Sequence, residues 1–132
     1  MNDTATDTVT DTPDLDALVD GYLAGWNATD PAERTAIVER VWSPDARMSD
    51  PLVDVTGHEA LVGVFALFHA TYPGCTFRRA GAHDAHHDLV RWGWEMIDAN
   101  GAVVLDGIDV AVVSADGRLH RVAGFFGATI PA

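Results

Sequence analysis

Basic residues are scarce in this chain of 132: Lys and Arg together number 8 against 20 acidic residues, for a formal net charge of −12. A polyanion is repelled by such a surface unless the cations cluster, and they form no stripe. Arg78-Arg79 and Arg118/Arg121 are the local concentrations, each readable as a solvated strand or turn position. No nucleic-acid and no membrane partner is therefore expected. Cysteine is scarcer still. Cys75 stands alone, which excludes an internal disulfide, and it reads as a small buried side chain beside the Pro73-Gly74 break. Neither a cationic leader with an apolar run nor a membrane-length apolar stretch is visible, so a cytoplasmic protein is expected. Gly-rich phosphate loops, a dinucleotide fingerprint and a Ser-His-Asp order are also missing, and no cofactor is implied.

What remains is a chain with 48% hydrophobic residues, enough to build one core in one domain. Residues 1–12 are almost wholly Asp, Thr and Ala and read as a disordered acidic tail; residues 13–132 form the expected domain. Leu15, Leu18, Val19, Tyr22, Leu23 and Trp26 recur at helical spacing after Thr12-Pro13, a plausible cap and first turn. Asp30-Pro31-Ala32-Glu33 opens a second helix, carrying Ile37, Val38, Val41 and Trp42, which Pro44 should end. An extended piece follows around Arg47 to Pro51. Thr56-Gly57-His58-Glu59 has the pattern of a capping box for a third helix, with Leu61, Phe65, Phe68 and Tyr72 on its stripe and Pro73-Gly74 as its stop. Downstream, Cys75 to Ala82, His86 to Asp98, Ala102 to Ser114 and Leu119 to Ala128 read as strands, with turns at Asn100-Gly101 and Asp116-Gly117. Helices followed by strands indicate an α+β domain: three N-terminal helices on a curved, mainly antiparallel sheet, with a pocket between them.

Asp109 interrupts one of the most apolar stretches, from Val103 to Val113. On an alternating strand it shares a face with Leu105, Ala111 and Val113, and that face would be buried. An ionised carboxylate there costs several kcal/mol, so the group should hold its proton with a raised pKa or find a partner. The plainer alternative is an Asp facing water, reached if Gly107 introduces a bulge that reverses the alternation.

The succession Tyr22-Leu23-Ala24-Gly25-Trp26-Asn27, Ser43-Pro44-Asp45-Ala46-Arg47-Met48-Ser49-Asp50-Pro51, Gly57-His58-Glu59-Ala60-Leu61, His86-His87-Asp88-Leu89-Val90-Arg91-Trp92, Gly107-Ile108-Asp109, Asp116-Gly117-Arg118 and Gly124-Phe125-Phe126 resembles the nuclear transport factor 2-like superfamily. The resemblance is to its SnoaL-like branch, which includes ketosteroid isomerases, and it runs from about Leu15 to the C-terminus. It implies a conical fold with one pocket, a fold that hosts isomerases, cyclases, hydrolases and non-catalytic proteins. The isomerase comparison further implies Asp50, of the Asp-Pro pair, as general base. Tyr22 and a protonated Asp109 would be donors to an oxyanion. Each has a plain alternative, Asp50-Pro51 as an ordinary turn and Tyr22 as ordinary core. Homodimerisation through the open sheet face is implied as well, with the strand bearing Trp92 and Trp94 as the contact; those tryptophans otherwise fill the core.

Trp26, Phe65, His87, Arg91 and Phe125 are the expected substrate-binding residues around a small molecule bearing a carbonyl or other oxygen group. His87 and Arg91 fall on one strand face, and if that face lines the pocket the ligand should carry an anionic oxygen. Arg91 could instead pair with Glu95 or with Asp109, and the latter pairing would keep Asp109 ionised. No metal is expected: among His83, His86, His87 and Asp88, neighbouring side chains on a strand point to opposite sides. Three readings stand: a cofactor-independent isomerase or cyclase, a non-catalytic ligand-binding or dimerisation domain, and a hydrolase that activates water in the same pocket, which by resemblance to the superfamily's hydrolases Arg91 lying between Asp50 and Asp109 would favour.

Overall fold

The computed structural model describes residues 14–127; the expected acidic tail and the Thr12-Pro13 cap lie outside the described residues. Helix α1 (Leu15–Asn27) is capped by Asp14, whose carboxylate accepts from the Ala17 N–H, and α2 (Pro31–Val41) by Asp30, which accepts from the Glu33 N–H. Each cap satisfies an N–H that the helix itself leaves unpaired. Helix α2 stops at Val41 rather than at Pro44. Trp42 and Pro44 belong to the first strand, β1 (Trp42–Ser49), which packs on the sheet at once and pulls the chain out of the helix. After β2 (Asp54–Thr56), helix α3 (His58–Thr71) starts at Gly57, at φ 92°, with no side-chain cap hydrogen bond. The capping box expected from Thr56 and Glu59 does not form, because Thr56 is committed to β2 and pairs with Arg47.

The rest of the sheet is β3 (Thr76–Arg79), β4 (Asp84–His86), β5 (Leu89–Ile97), β6 (Val103–Val113) and β7 (Leu119–Phe126). Its order is β2-β1-β7-β6-β5-β3, with β4 continuing the β5 edge beyond β3. Every pairing is antiparallel except β1 with β7. Sequence periodicity read residues 75–82 as one strand and did not register β2 or β4, which are three residues each, too short to show a pattern. The Asn100-Gly101 and Asp116-Gly117 turns close the β5–β6 and β6–β7 hairpins, with Gly101 and Gly117 at φ 84° and 85°.

The three helices cover one face of the sheet. Val19, Val38, Trp42, Met48, Leu61, Phe65, Val90, Trp92, Leu119 and Val122 are fully buried between the layers. Polar ties lock α1 in place. Asn27 forms two bonds of 2.8 Å with the Phe77 backbone, donating to its carbonyl and accepting from its N–H, as a neighbouring strand would. At the same end, the Ala28 carbonyl accepts from buried Arg34, and the His69 Nε2 lies 2.6 Å from the Trp26 carbonyl. These side chains satisfy carbonyls that a helix end otherwise leaves orphaned inside the protein. Among the described residues no helix is long and apolar enough to cross a membrane.

Candidate functional site

Alternation along β6 holds through Gly107. The pairing is continuous with β5 from Leu105 to Val112 and with β7 from Gly107 to Val112, so no bulge reverses the faces, and Asp109 is turned inward at 4% exposure. Its Oδ1 accepts a 3.1 Å hydrogen bond from the Trp94 indole Nε1–H. Burial pushes the carboxyl from the ordinary 3.8 up to about 7, against the opposing effects of hydrogen bonding from Tyr22 and Trp94, and the nearby Asp50 charge adds to the rise. Tyr22 is pushed well above its usual value, first by burial and then by Asp109, through charge and hydrogen bonding. A phenol held in this way remains a hydrogen-bond donor at neutral pH.

Tyr22 reaches this place from the middle of α1, its ring packed at 5.7 Å from Trp42 and edge-on at 5.0 Å from Trp92. Asp50 arrives from the opposite side, just past the end of β1. Its Oδ1 accepts from the N–H groups of Leu52 (2.8 Å) and Val53 (3.0 Å), while its own N–H donates to the Val53 carbonyl. Asp50-Pro51 is thus an ordinary Asx turn and also a device that fixes a carboxylate. Between the two acids lies Gly124 of β7, paired with Asp109. A Cβ at that position would stand 2.6 Å from Asp109 Oδ1 and 3.3 Å from Asp50 Cβ, so a bare backbone is what lets both carboxyls occupy one space.

Tyr22, Asp50 and Asp109 all line one cavity of about 270 Å³. Its walls are otherwise dominated by apolar side chains, among them Leu23, Trp26, Val53, Phe68, Phe77 and Met96, and among the described residues no Arg or His lines it. Leu52, Leu67, Tyr72 and Phe126 belong to the lining and are exposed, which makes the mouth apolar too.

Four of the five expected substrate-binding residues lie elsewhere. Trp26 lines the cavity, but Phe65 is fully buried beneath it against Trp26 and Trp42, and Phe68, one turn farther along α3, takes the wall position. Phe125 is 61% exposed on the outer sheet face, because alternation on β7 turns Phe126 inward instead. Arg91 is exposed and bridges to Asp84 of β4 at 3.0 Å, pairing with neither Asp109 nor Glu95, which binds Arg78. His87 is exposed at φ 54° in the turn between β4 and β5, with its Nδ1 3.1 Å from that of His86. His83 lies beside Asp16, and among the described residues no group of three or more metal-ligating side chains gathers. Trp92 and Trp94 point into the core at 2% and 6% exposure, so these side chains are not on the outer sheet face where a partner was expected.

Trp94, Gly124, Gly107 and Phe126 were missed as site residues. Gly107 pairs with Trp94, and a Cβ there would collide with the indole and the Phe125 carbonyl; its absence lets the indole lie across β6 toward Asp109. The available signal was the cross-strand register, Trp opposite Gly two residues before the buried Asp.

A SnoaL-like domain family profile matches residues 19–122. Among solved structures, the chain is similar to a candidate isomerase of the SnoaL-like family from Agrobacterium tumefaciens, at 30% identity over 85% of this chain and 96% of that one, TM-score 0.82. A candidate polyketide cyclase from Sinorhizobium meliloti shares the fold at 16% identity, covering 87% and 96% of the two chains, TM-score 0.65. So does a protein of unknown function with a cystatin-like fold from Methylobium petroleophilum, at 18% identity over 88% and 77%, TM-score 0.69. No curated protein matches.

Proposed function

The chain belongs to the SnoaL-like family, and on that premise we propose that it is an isomerase or cyclase that moves a proton next to a carbonyl of a small, mostly apolar molecule. The observation that carries this reading is the pair of carboxyls in one apolar cavity in unlike settings. Asp109 is dry, with its titration near 7, and Asp50 is partly exposed and oriented by two N–H donors. Asp50 removes the proton. Tyr22 and neutral Asp109 donate to the carbonyl oxygen as it becomes an enolate, and the carbon reprotonates at its new position or closes a ring. The side chains of the protein suffice for each step.

The lining favours a neutral ligand. With no basic side chain in the wall and acids at its polar end, a carboxylate or phenolate would be repelled, which replaces the anionic ligand that Arg91 suggested. Arg91 on the outer face also removes the support for the hydrolase reading. As a homodimer, two copies would meet through the outer sheet face, where Phe125 is exposed and Ile108, Val110, Val112 and Ala123 are partly so.

The test is turnover of β,γ-unsaturated ketones and cyclisable aromatic polyketides by wild type and Asp50→Asn. Removal of a general base should lower kcat by about 10²–10⁴-fold with the fold intact. An unchanged rate would remove Asp50 from the mechanism. Binding of apolar ketones by both proteins without turnover would instead support a non-catalytic ligand-binding domain.

A further inference from the structure

We infer that Trp94 is a positioning residue for Asp109: its indole N–H holds Oδ1 as the carbonyl-like oxygen and so assigns the carboxyl's O–H to Oδ2. The inference rests on the proposed role of neutral Asp109 as a hydrogen-bond donor to the carbonyl oxygen and adds to it the group that decides how that acid presents its proton.

Two contacts occupy Oδ1, and the packing of the indole supports the first of them. The Trp94 Nε1–H donates to it at 3.1 Å within the buried interior. The bare Gly124 backbone beside it makes room for Oδ1, which a Cβ at that position would approach to 2.6 Å. The indole itself is laid over Gly107 and packed edge-on against Phe77 at 5.4 Å and Phe126 at 6.1 Å. A fixed donor favours a lone-pair oxygen over a hydroxyl. In the neutral acid the C=O oxygen therefore faces the indole and the O–H is carried by the other oxygen. Without that donor Oδ1 could carry the proton as well, and the acid would then present a lone pair where the mechanism needs a donor.

The same bond acts on acidity. It strengthens when Asp109 ionises, so it opposes the rise caused by burial. The titratable groups facing Asp109 are Tyr22 from α1 and Asp50 from the turn after β1; β5 contributes the uncharged Trp94, and β7 contributes Gly124. Trp94 thus moderates the rise that burial causes while fixing which oxygen carries the proton.

The indole N–H is its own probe. In a two-dimensional ¹H–¹⁵N spectrum of the wild-type protein, the four tryptophans give four indole signals, and Trp42, whose buried N–H finds no partner among the described residues, serves as an internal reference. One signal, assigned to Trp94 by its loss in Trp94→Phe, should move with a midpoint near the Asp109 value of about 7 and stop moving in Asp109→Asn. In Trp94→Phe, the Asp109 carboxyl followed by ¹³C NMR should titrate higher by about one pH unit. An indole signal indifferent to pH in wild type, or an unmoved carboxyl midpoint in a folded Trp94→Phe, overturns the inference. The wild-type spectrum decides even if that variant does not fold, provided Asp109→Asn is used for assignment. These readouts need no substrate, so they can fail while Asp50→Asn still abolishes turnover, or succeed where no turnover exists.

Discussion

Replacing Asp109 with Asn should change how stability depends on pH, and in a direction opposite to ordinary acid denaturation. In the folded protein the carboxyl titrates at about 7 against an ordinary 3.8, because 4% exposure leaves its charge almost without water. Below the unfolded value both states hold the proton, and no penalty exists. Between the two values the unfolded chain has released its proton while the fold retains it, so stability falls as pH rises and the loss is complete once pH passes the folded value. About three pH units at 1.36 kcal/mol each give a total of roughly 4 kcal/mol, and the portion between about pH 5 and about pH 8 is roughly 3 kcal/mol. Asn fills nearly the same volume and never ionises. Urea unfolding followed by tryptophan fluorescence would measure both proteins across this range. The difference between them cancels the other titrating groups, and Asn should gain on wild type by roughly 2–3 kcal/mol as pH rises from about 5 to about 8. Two stability curves that run parallel over that interval would refute the reasoning, since they would mean that Asp109 is not a buried acid of raised pKa.

Gly124→Ala places a Cβ against both acids, 2.6 Å from Asp109 Oδ1 and 3.3 Å from Asp50 Cβ. It should cost about 1–3 kcal/mol by overpacking, read from the urea midpoint, and lower kcat more than it raises KM, because it displaces reacting groups rather than the apolar wall. Arg91→Ala removes an exposed bridge to Asp84 on the outer face and should leave turnover, KM and the urea midpoint unchanged; a raised KM would return Arg91 to the ligand.

Much of the architecture was legible because it depends on local rules. Asp30 with Pro31 and Glu33 had to begin a helix, and the glycine turns at Gly101 and Gly117 had to close hairpins. Errors came where tertiary demand overrode local preference. Trp42 left helical geometry because β1 needed it in the core, and Thr56 joined β2 instead of capping α3. Short strands carry no period to read, so β2 and β4 were invisible.

The site divides along the same line. Sequence by itself determined that an acid sits in an apolar strand, that Asp-Pro turns the chain after β1, and that Tyr22 shares the buried stripe of α1. These follow from alternation, helical period and turn chemistry, each a property of a few consecutive residues. Only the tertiary structure decided that these three share a cavity, that Trp94 and not Arg91 is the partner of Asp109, and that Gly124 makes the space. Which neighbour a buried carboxyl meets depends on strand register and on which face curves over the helices. Neither is written in the segment that carries the acid. An indole N–H leaves that acid able to keep its proton where a guanidinium would have held it ionised.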